Sequence, residues 1–195
     1  MLSTIDTVLF DLDGTLTVPV IDFDALRASL RLPDGVSITH ALNEMPAIER
    51  ERGFEIVRAA ELEAAHNAVA NRGAIELVRW LQGRGIATGV ITRNYQGAVD
   101  ITLEALDLRF EVVITRDCAP PKPAPDAVHE ALRRLGRDAG NALMVGDYRD
   151  DIEAGKAAGA HTCLVTNGEE PRFEAELSVP WLSDLLVMFQ RVQPA

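Results

Sequence analysis

The segment Val8-Leu9-Phe10-Asp11-Leu12-Asp13-Gly14-Thr15-Leu16 ends an apolar run with two carboxylates one residue apart, followed by a glycine. If the run is a strand, side-chain alternation sends Asp11 and Asp13 to one side, provided extended geometry continues that far. In open α/β sheets the carboxyl ends of the strands are where ligands bind. Two close carboxylates need a counter-charge, and magnesium, a hard cation that takes oxygen ligands, suits them. An Asp-Gly turn that only closes the strand would use the same residues. A second apolar run ends the same way, in Met144-Val145-Gly146-Asp147-Tyr148-Arg149-Asp150-Asp151. Asp147 is placed to complete a magnesium site with Asp11. Asp150 and Asp151 either support that site or a neighbouring lysine, or complement the dipole of the helix they begin.

Two more polar residues fall at equivalent edges. Thr92 follows the run Ile86 to Ile91, and Lys122 lies within Pro120-Pro121-Lys122-Pro123-Ala124-Pro125, where prolines restrict the backbone. A lysine fixed beside carboxylates can bind a phosphoryl oxygen, and a threonine hydroxyl can donate to another. A helix cap for Thr92 and a solvated loop lysine for Lys122 are the plainer alternatives.

The elements that must position these groups read as an α/β chain with a Rossmann-like, doubly wound parallel sheet. Five strands are expected, at Thr7 to Phe10, Ile86 to Ile91, Val112 to Ile114, Ala142 to Val145 and Thr162 to Val165. All are rich in Val, Ile and Leu, as strands covered on both faces must be. Helices are expected over Gly73 to Gln82, Gln96 to Leu108, Pro125 to Leu135, Asp150 to Ala158 and, in the tail, Leu182 to Val192, with Gly136 and Gly159 at helix ends. The stretch Thr17 to Asn71 breaks the alternation. It holds helix formers over Phe23 to Leu30 and Ala47 to Ala70, separated by a Pro33-Asp34-Gly35 turn. The division that follows is a core made of 1–16 and 72–195, with a small all-helical insertion over 17–71.

Taken in order, Asp11-Leu12-Asp13-Gly14-Thr15, Thr92, Lys122 and Gly146-Asp147 with Asp151 resemble the four motifs of the haloacid dehalogenase superfamily. The order and the placement of the helical insertion are similar to its phosphoglycolate-phosphatase-like branch, in which that insertion is a cap. The resemblance implies a phosphatase that uses Mg2+ and hydrolyses a small-molecule phosphate monoester. Asp11 would be the nucleophile that becomes an aspartyl-phosphate, and Asp13 the acid that protonates the leaving group and later the base for water. Thr92 and Lys122 would bind the transferring phosphoryl group, with Arg93 and Asn94 next to it. Asp11, Asp147 and the carbonyl of Asp13 would hold the metal, and Asp151 would support the site from behind. An acid at position 13 also separates the chain from dehalogenases, which do not protonate a leaving group. A phosphomutase of the same superfamily would carry the same acids. A receiver-like signalling domain would also use a phospho-Asp, a Thr and a Lys, but in a different order and without the helical insertion.

The chain has 195 residues, 19 basic and 30 acidic, for a net charge of −11, and 5% aromatics. That charge repels polyphosphate and the scarce aromatics offer few stacking platforms, so no nucleic-acid partner is expected. An anionic substrate requires a cation in the site. No basic leader precedes an apolar segment, and no stretch is long and uncharged enough to span a bilayer, so the expectation is a cytoplasmic protein without a membrane partner. Cys118 and Cys163 lack metal-ligand spacing and are read as reduced packing residues. Arg27, Arg31, His40, Arg50, Arg52, Arg58 and His66 are polar residues of the insertion, mostly solvent-facing by this reading. Substrate identity and oligomeric state are not encoded in any motif.

Overall fold

The computed structural model describes residues 1–192. Its centre is β1 (Thr7–Phe10), which pairs in parallel with β2 (Ala87–Ile91) on one side and β4 (Ala142–Gly146) on the other. With β3 (Val112–Ile114), β5 (His161–Val165) and β6 (Leu177–Val179), the sheet has the order β3-β2-β1-β4-β5-β6, all parallel. This is the doubly wound order, and the direction of winding reverses between β1 and β4.

Side-chain alternation along β1 divides the core. Val8 and Phe10 face α4 (Ala74–Gly83), α5 (Gln96–Ala105) and α8 (Leu182–Val192), whereas Leu9 faces α6 (Asp126–Leu135) and α7 (Arg149–Ala157). Phe10, Leu9, Leu77, Leu143 and Phe189 are wholly buried, and each side chain of this size contributes about 1.5–3 kcal/mol when removed from water. In α6, Ala127, Val128, Ala131 and Leu132 make the buried stripe, and Gly136, at φ 63°, ends the helix in the left-handed conformation.

Three helices lie between β1 and α4: α1 (Phe23–Ser29), α2 (Ile38–Asn43) and α3 (Ala47–His66). They share an apolar cluster of Leu26, Ile38, Leu42 and Val57, and α3 packs against α5. The stretch leaves and rejoins the sheet side by side: Val18 N donates to Val69 O at 3.0 Å, and Thr17 pairs with Ala70 as an antiparallel bridge. That pairing explains why α3 stops at His66 rather than at Ala70, because residues 67–70 are needed as an extended return. Asn67 caps the end, its Nδ2 donating to Glu63 O at 2.9 Å.

Three other expectations need amendment. The short helix α2 is additional to the two helical stretches read within the insertion. The edge strand β6 is additional to the five read from the sequence. Cys163 is a buried packing residue, but Cys118 is exposed, since it sits in the loop between β3 and Lys122 rather than on a packed face. Among the described residues, no helix is long and apolar enough to cross a membrane.

Candidate active site

The carboxyl ends of β1 and β4 are adjacent, with Phe10 in register with Val145, and Asp11 N donates to Val145 O at 2.8 Å. Their following acids therefore meet. Asp11, Asp147 and Asp151 each place one carboxylate oxygen within 4.8 Å of the others. Asp151 reaches this point from the first turn of α7, where its Oδ2 also accepts from Tyr148 N at 3.1 Å. The helix-cap and site readings of Asp151 thus hold together in one side chain.

Lys122 is 3% exposed and enters from the loop before α6. Its Nζ donates to Asp11 Oδ1 at 2.5 Å and to Ile91 O at 2.7 Å, and it lies 2.6 Å from Asp151 Oδ1. Burial works against its positive charge, but Asp11 and Asp151 outweigh that and hold its pKa above the ordinary lysine value.

Beyond Asp11 the chain does not remain extended. Leu16 N and Thr17 N both donate to Leu12 O, at 2.9 and 3.0 Å, which folds the segment into a tight turn. Consequently the Asp13 carboxylate stands outside the three-carboxylate cluster and turns to Asn94, whose Nδ2 donates to Asp13 Oδ2 at 3.2 Å. Gly14, at φ 89°, brings the turn against the cluster: a Cβ there would lie 2.4 Å from Asp147 Oδ2. Thr15 Oγ1 donates to Asp147 Oδ1 at 3.2 Å.

Thr92 is buried after β2, and its Oγ1 accepts from Asn94 N at 3.0 Å. Its hydroxyl proton is thereby directed away from the Asn94 amide. Arg93 Nη1 lies 2.6 Å from Asp150 Oδ2, so the sequence-expected Arg93 is held in an ion pair. Of the polar residues of the insertion, Arg27 is half-buried and Arg31, His40, Arg50, Arg52, Arg58 and His66 are exposed.

Burial is the main reason the acids of this site resist ionisation. It raises Asp11 well above the usual carboxylate value, and Asp151, Asp147 and Asp13 add to the effect while Lys122 opposes it. Burial likewise raises Asp13, against the Asn94 hydrogen bond, and pushes Asp147 up to about 7. One ammonium among four carboxylates leaves an excess of negative charge, which a divalent cation would neutralise. The donor set suits magnesium, a hard cation that takes oxygen ligands: Asp11, Asp147 and Asp151 bring carboxylate oxygens within 4.8 Å of one another.

Residues 30–165 match the model of the haloacid dehalogenase-like hydrolases. The chain belongs to this family. It is 35% identical over 170 residues to a haloacid dehalogenase-like hydrolase domain-containing protein of Arabidopsis thaliana, covering 81% of this chain and 69% of that protein. It is 31% identical over 188 residues to a phosphoglycolate phosphatase of Pseudomonas syringae pv. tomato (83% and 69%), and 31% identical over 209 residues to the pyrophosphatase PpaX of Bacillus pumilus (95% and 97%). The fold matches the crystal structure of a hydrolase from Pseudomonas syringae with a TM-score of 0.79 at 24% identity, over 95% of this chain and 98% of that one. Membership of a hydrolase family sets the receiver-domain alternative aside.

Two parts of this haloacid dehalogenase-like site went unread in the sequence. Asn71 is buried where the insertion rejoins the core; its Nδ2 donates to Thr15 O at 3.0 Å and to Asn167 Oδ1 at 2.8 Å, while Asn167 Nδ2 donates to Gly14 O at 2.9 Å. Together they hold the Gly14-Thr15 backbone that abuts Asp147. The other is the pairing of Glu61 from α3 with Arg116 beyond β3, at 2.5 and 2.8 Å. Burial pushes Glu61 up to about 7 in spite of Arg116. Neither pairing has a local motif. Only the placement of Asn71 at the end of the insertion carried any signal.

Proposed function

We propose that this hydrolase is a magnesium-dependent phosphatase that cleaves small-molecule phosphate monoesters through an aspartyl-phosphate on Asp11. The observation that supports it most is the division of labour between the first two acids. Asp11 is held by Lys122 within the carboxylate cluster, while Asp13 is turned out of it and held by Asn94. Two neighbouring carboxylates with different surroundings suit two different roles.

In the first step an Asp11 carboxylate oxygen attacks phosphorus, the bond from phosphorus to the ester oxygen breaks, and Asp13 gives its proton to the departing alkoxide. The raised pKa of Asp13 favours the protonated form needed at the outset. In the second step Asp13 removes a proton from water as that water attacks phosphorus, and Asp11 is released together with inorganic phosphate. Lys122 orients Asp11 and, with the Thr92 hydroxyl, meets the phosphoryl oxygens. Asp11 and Asp147, with the Asp13 carbonyl, would hold the magnesium ion, and Asp151 would support the site from behind through Lys122 and the Tyr148 amide. When bound, the ion supplies positive charge against the phosphoryl oxygens, offsetting the acidity of the site.

The helices of 17–71 would serve as the cap, closing on the core of 1–16 and 72–195. The packing of α3 on α5 supports this reading, since α5 begins directly after Thr92, Arg93 and Asn94. A cap excludes water until the substrate is seated and selects its leaving group.

Release of inorganic phosphate from p-nitrophenyl phosphate with magnesium tests the activity. Rapid acid quench should trap phosphate on the wild-type protein and none on Asp11→Asn; phosphate release that survives Asp11→Asn would remove Asp11 as nucleophile.

A further inference from the structure

Arg116 is enclosed by partners from the insertion and the core together. Its Nη1 and Nη2 donate to the two carboxylate oxygens of Glu61 at 2.5 and 2.8 Å, and Nη1 also donates to Arg93 O at 2.8 Å. The rings of Phe54 and Tyr95 lie 5.5 and 5.6 Å from the guanidinium carbon. The Arg116 and Glu61 side chains are 8% and 9% exposed, so this is a desolvated pair and not a surface contact.

The pair adjoins the leaving-group side of the site. Arg116 N donates to the carbonyl of Asn94 at 3.3 Å, and the amide of that same Asn94 holds Asp13. The charge of Arg116 acts on Asp13, and that of Asp13 acts on Glu61. A planar guanidinium in such a place is suited to take a carboxylate or phosphate in two parallel hydrogen bonds. Here that capacity is already used by an acid of the same chain. Arg93 is tied to Asp150, and Lys122 to Asp11 and Asp151. Each of these three cations at the site edge therefore has its own carboxylate.

Resting on the phosphatase reading above, we propose that Glu61 is a specificity-determining residue: it masks Arg116 and restricts the enzyme to phosphate monoesters of alcohols that carry no second anionic group. A leaving group bearing a carboxylate would face Glu61 and Asp13, and could gain Arg116 only by breaking a buried, two-pronged ion pair. Selectivity is then enforced by repulsion of the wrong substrate as well as by contact with the right one. Such a preference would distinguish this chain from the phosphoglycolate phosphatases it resembles.

The test compares two esters of similar size, phosphoglycolate and 2-hydroxyethyl phosphate, at pH 8, above the value near 7 to which burial pushes Glu61. Wild-type protein should show kcat/KM at least about tenfold higher for the neutral ester, the scale expected when one desolvated charge is left opposed. Glu61→Gln, which keeps the shape but removes the charge, should raise the phosphoglycolate-to-hydroxyethyl ratio by about tenfold. The double variant Glu61→Gln/Arg116→Gln should lose that gain. A merely structural role would move both substrates together. A wild-type preference for phosphoglycolate, a ratio unmoved in a folded Glu61→Gln protein, or a gain that persists without Arg116 would each overturn the proposal. If Glu61→Gln does not fold, the wild-type preference decides alone. Wild-type protein that hydrolyses p-nitrophenyl phosphate but fails these comparisons loses only this inference, whereas inactivity toward all three esters overturns the phosphatase reading and this inference with it.

Discussion

Lys122 Nζ stands 2.5 Å from Asp11 Oδ1, although 111 positions separate the two residues in the chain. The same ammonium reaches Asp151 at 2.6 Å, so one cation from the loop before α6 joins the end of β1 to the first turn of α7. Removing it has consequences for folding as well as for chemistry. Lys122→Ala leaves two buried carboxylates without their partner, a loss of about 3–5 kcal/mol for a broken buried pair. Urea denaturation should show the midpoint falling accordingly, together with loss of phosphate release. A midpoint equal to that of wild type would mean that the ion pair contributes nothing to the fold.

The proton-transfer role proposed for Asp13 makes its value depend on the leaving group. Asp13→Asn should lower kcat for an alkyl phosphate by about 100- to 10,000-fold, the range for a lost general acid. The loss should be much smaller for phosphorylation of Asp11 by p-nitrophenyl phosphate, whose leaving group departs without a proton. Pre-steady-state measurement of p-nitrophenol release by the variant checks this. Equal losses for both esters would count against the role.

Gly14 tests the close approach of the first turn to Asp147. Gly14→Ala places a methyl group 2.4 Å from Asp147 Oδ2 at a φ of 89°, and left-handed strain of this kind costs about 1–3 kcal/mol. If the cluster holds magnesium as proposed, the ion should raise the melting temperature of the wild-type protein, since a ligand of the native state alone stabilises it. That rise should shrink or vanish in Gly14→Ala and in Asp147→Asn. Differential scanning fluorimetry, with and without the metal, reads the effect without reference to turnover.

The strand-end acids were legible in the sequence because each sits directly after an apolar run: Asp11 after β1 and Asp147 after β4. The parallel sheet was legible for the same reason, since doubly buried strands have few polar residues. The three-residue edge strand Leu177–Val179 gives no such contrast with the loop before it. Glu61 is one of many acids in a helix rich in Glu and Arg, and only its long-range partner Arg116 marks it. Where Asp13 points was also hidden. Alternation applies as long as the chain stays extended, and the hydrogen bonds to Leu12 O end that one residue too early.

Glu61 also gives a pH dependence with a definite sign. Burial raises its pKa from 4.5 to about 7, so between those values the native protein holds a proton that the unfolded chain has released. Stability attributable to this residue therefore falls as pH rises from 4.5 to 7 and levels off above, by no more than about 3 kcal/mol. Urea midpoints at pH 5 and pH 7.5 should show Glu61→Gln gaining on wild type at the higher pH. A wild-type-minus-variant difference that is constant with pH, or that moves the other way, would refute the assignment.

The hydrogen bond from Val18 N to Val69 O and the pairing of Thr17 with Ala70 bring the entrance and the exit of the helical insertion together. A segment whose two doors open onto the same threshold behaves as an exchangeable cassette. Its length and helix count can change without shifting β1 or α4, so under the proposed function leaving-group preference could be retuned while the acid cluster beneath stays in place.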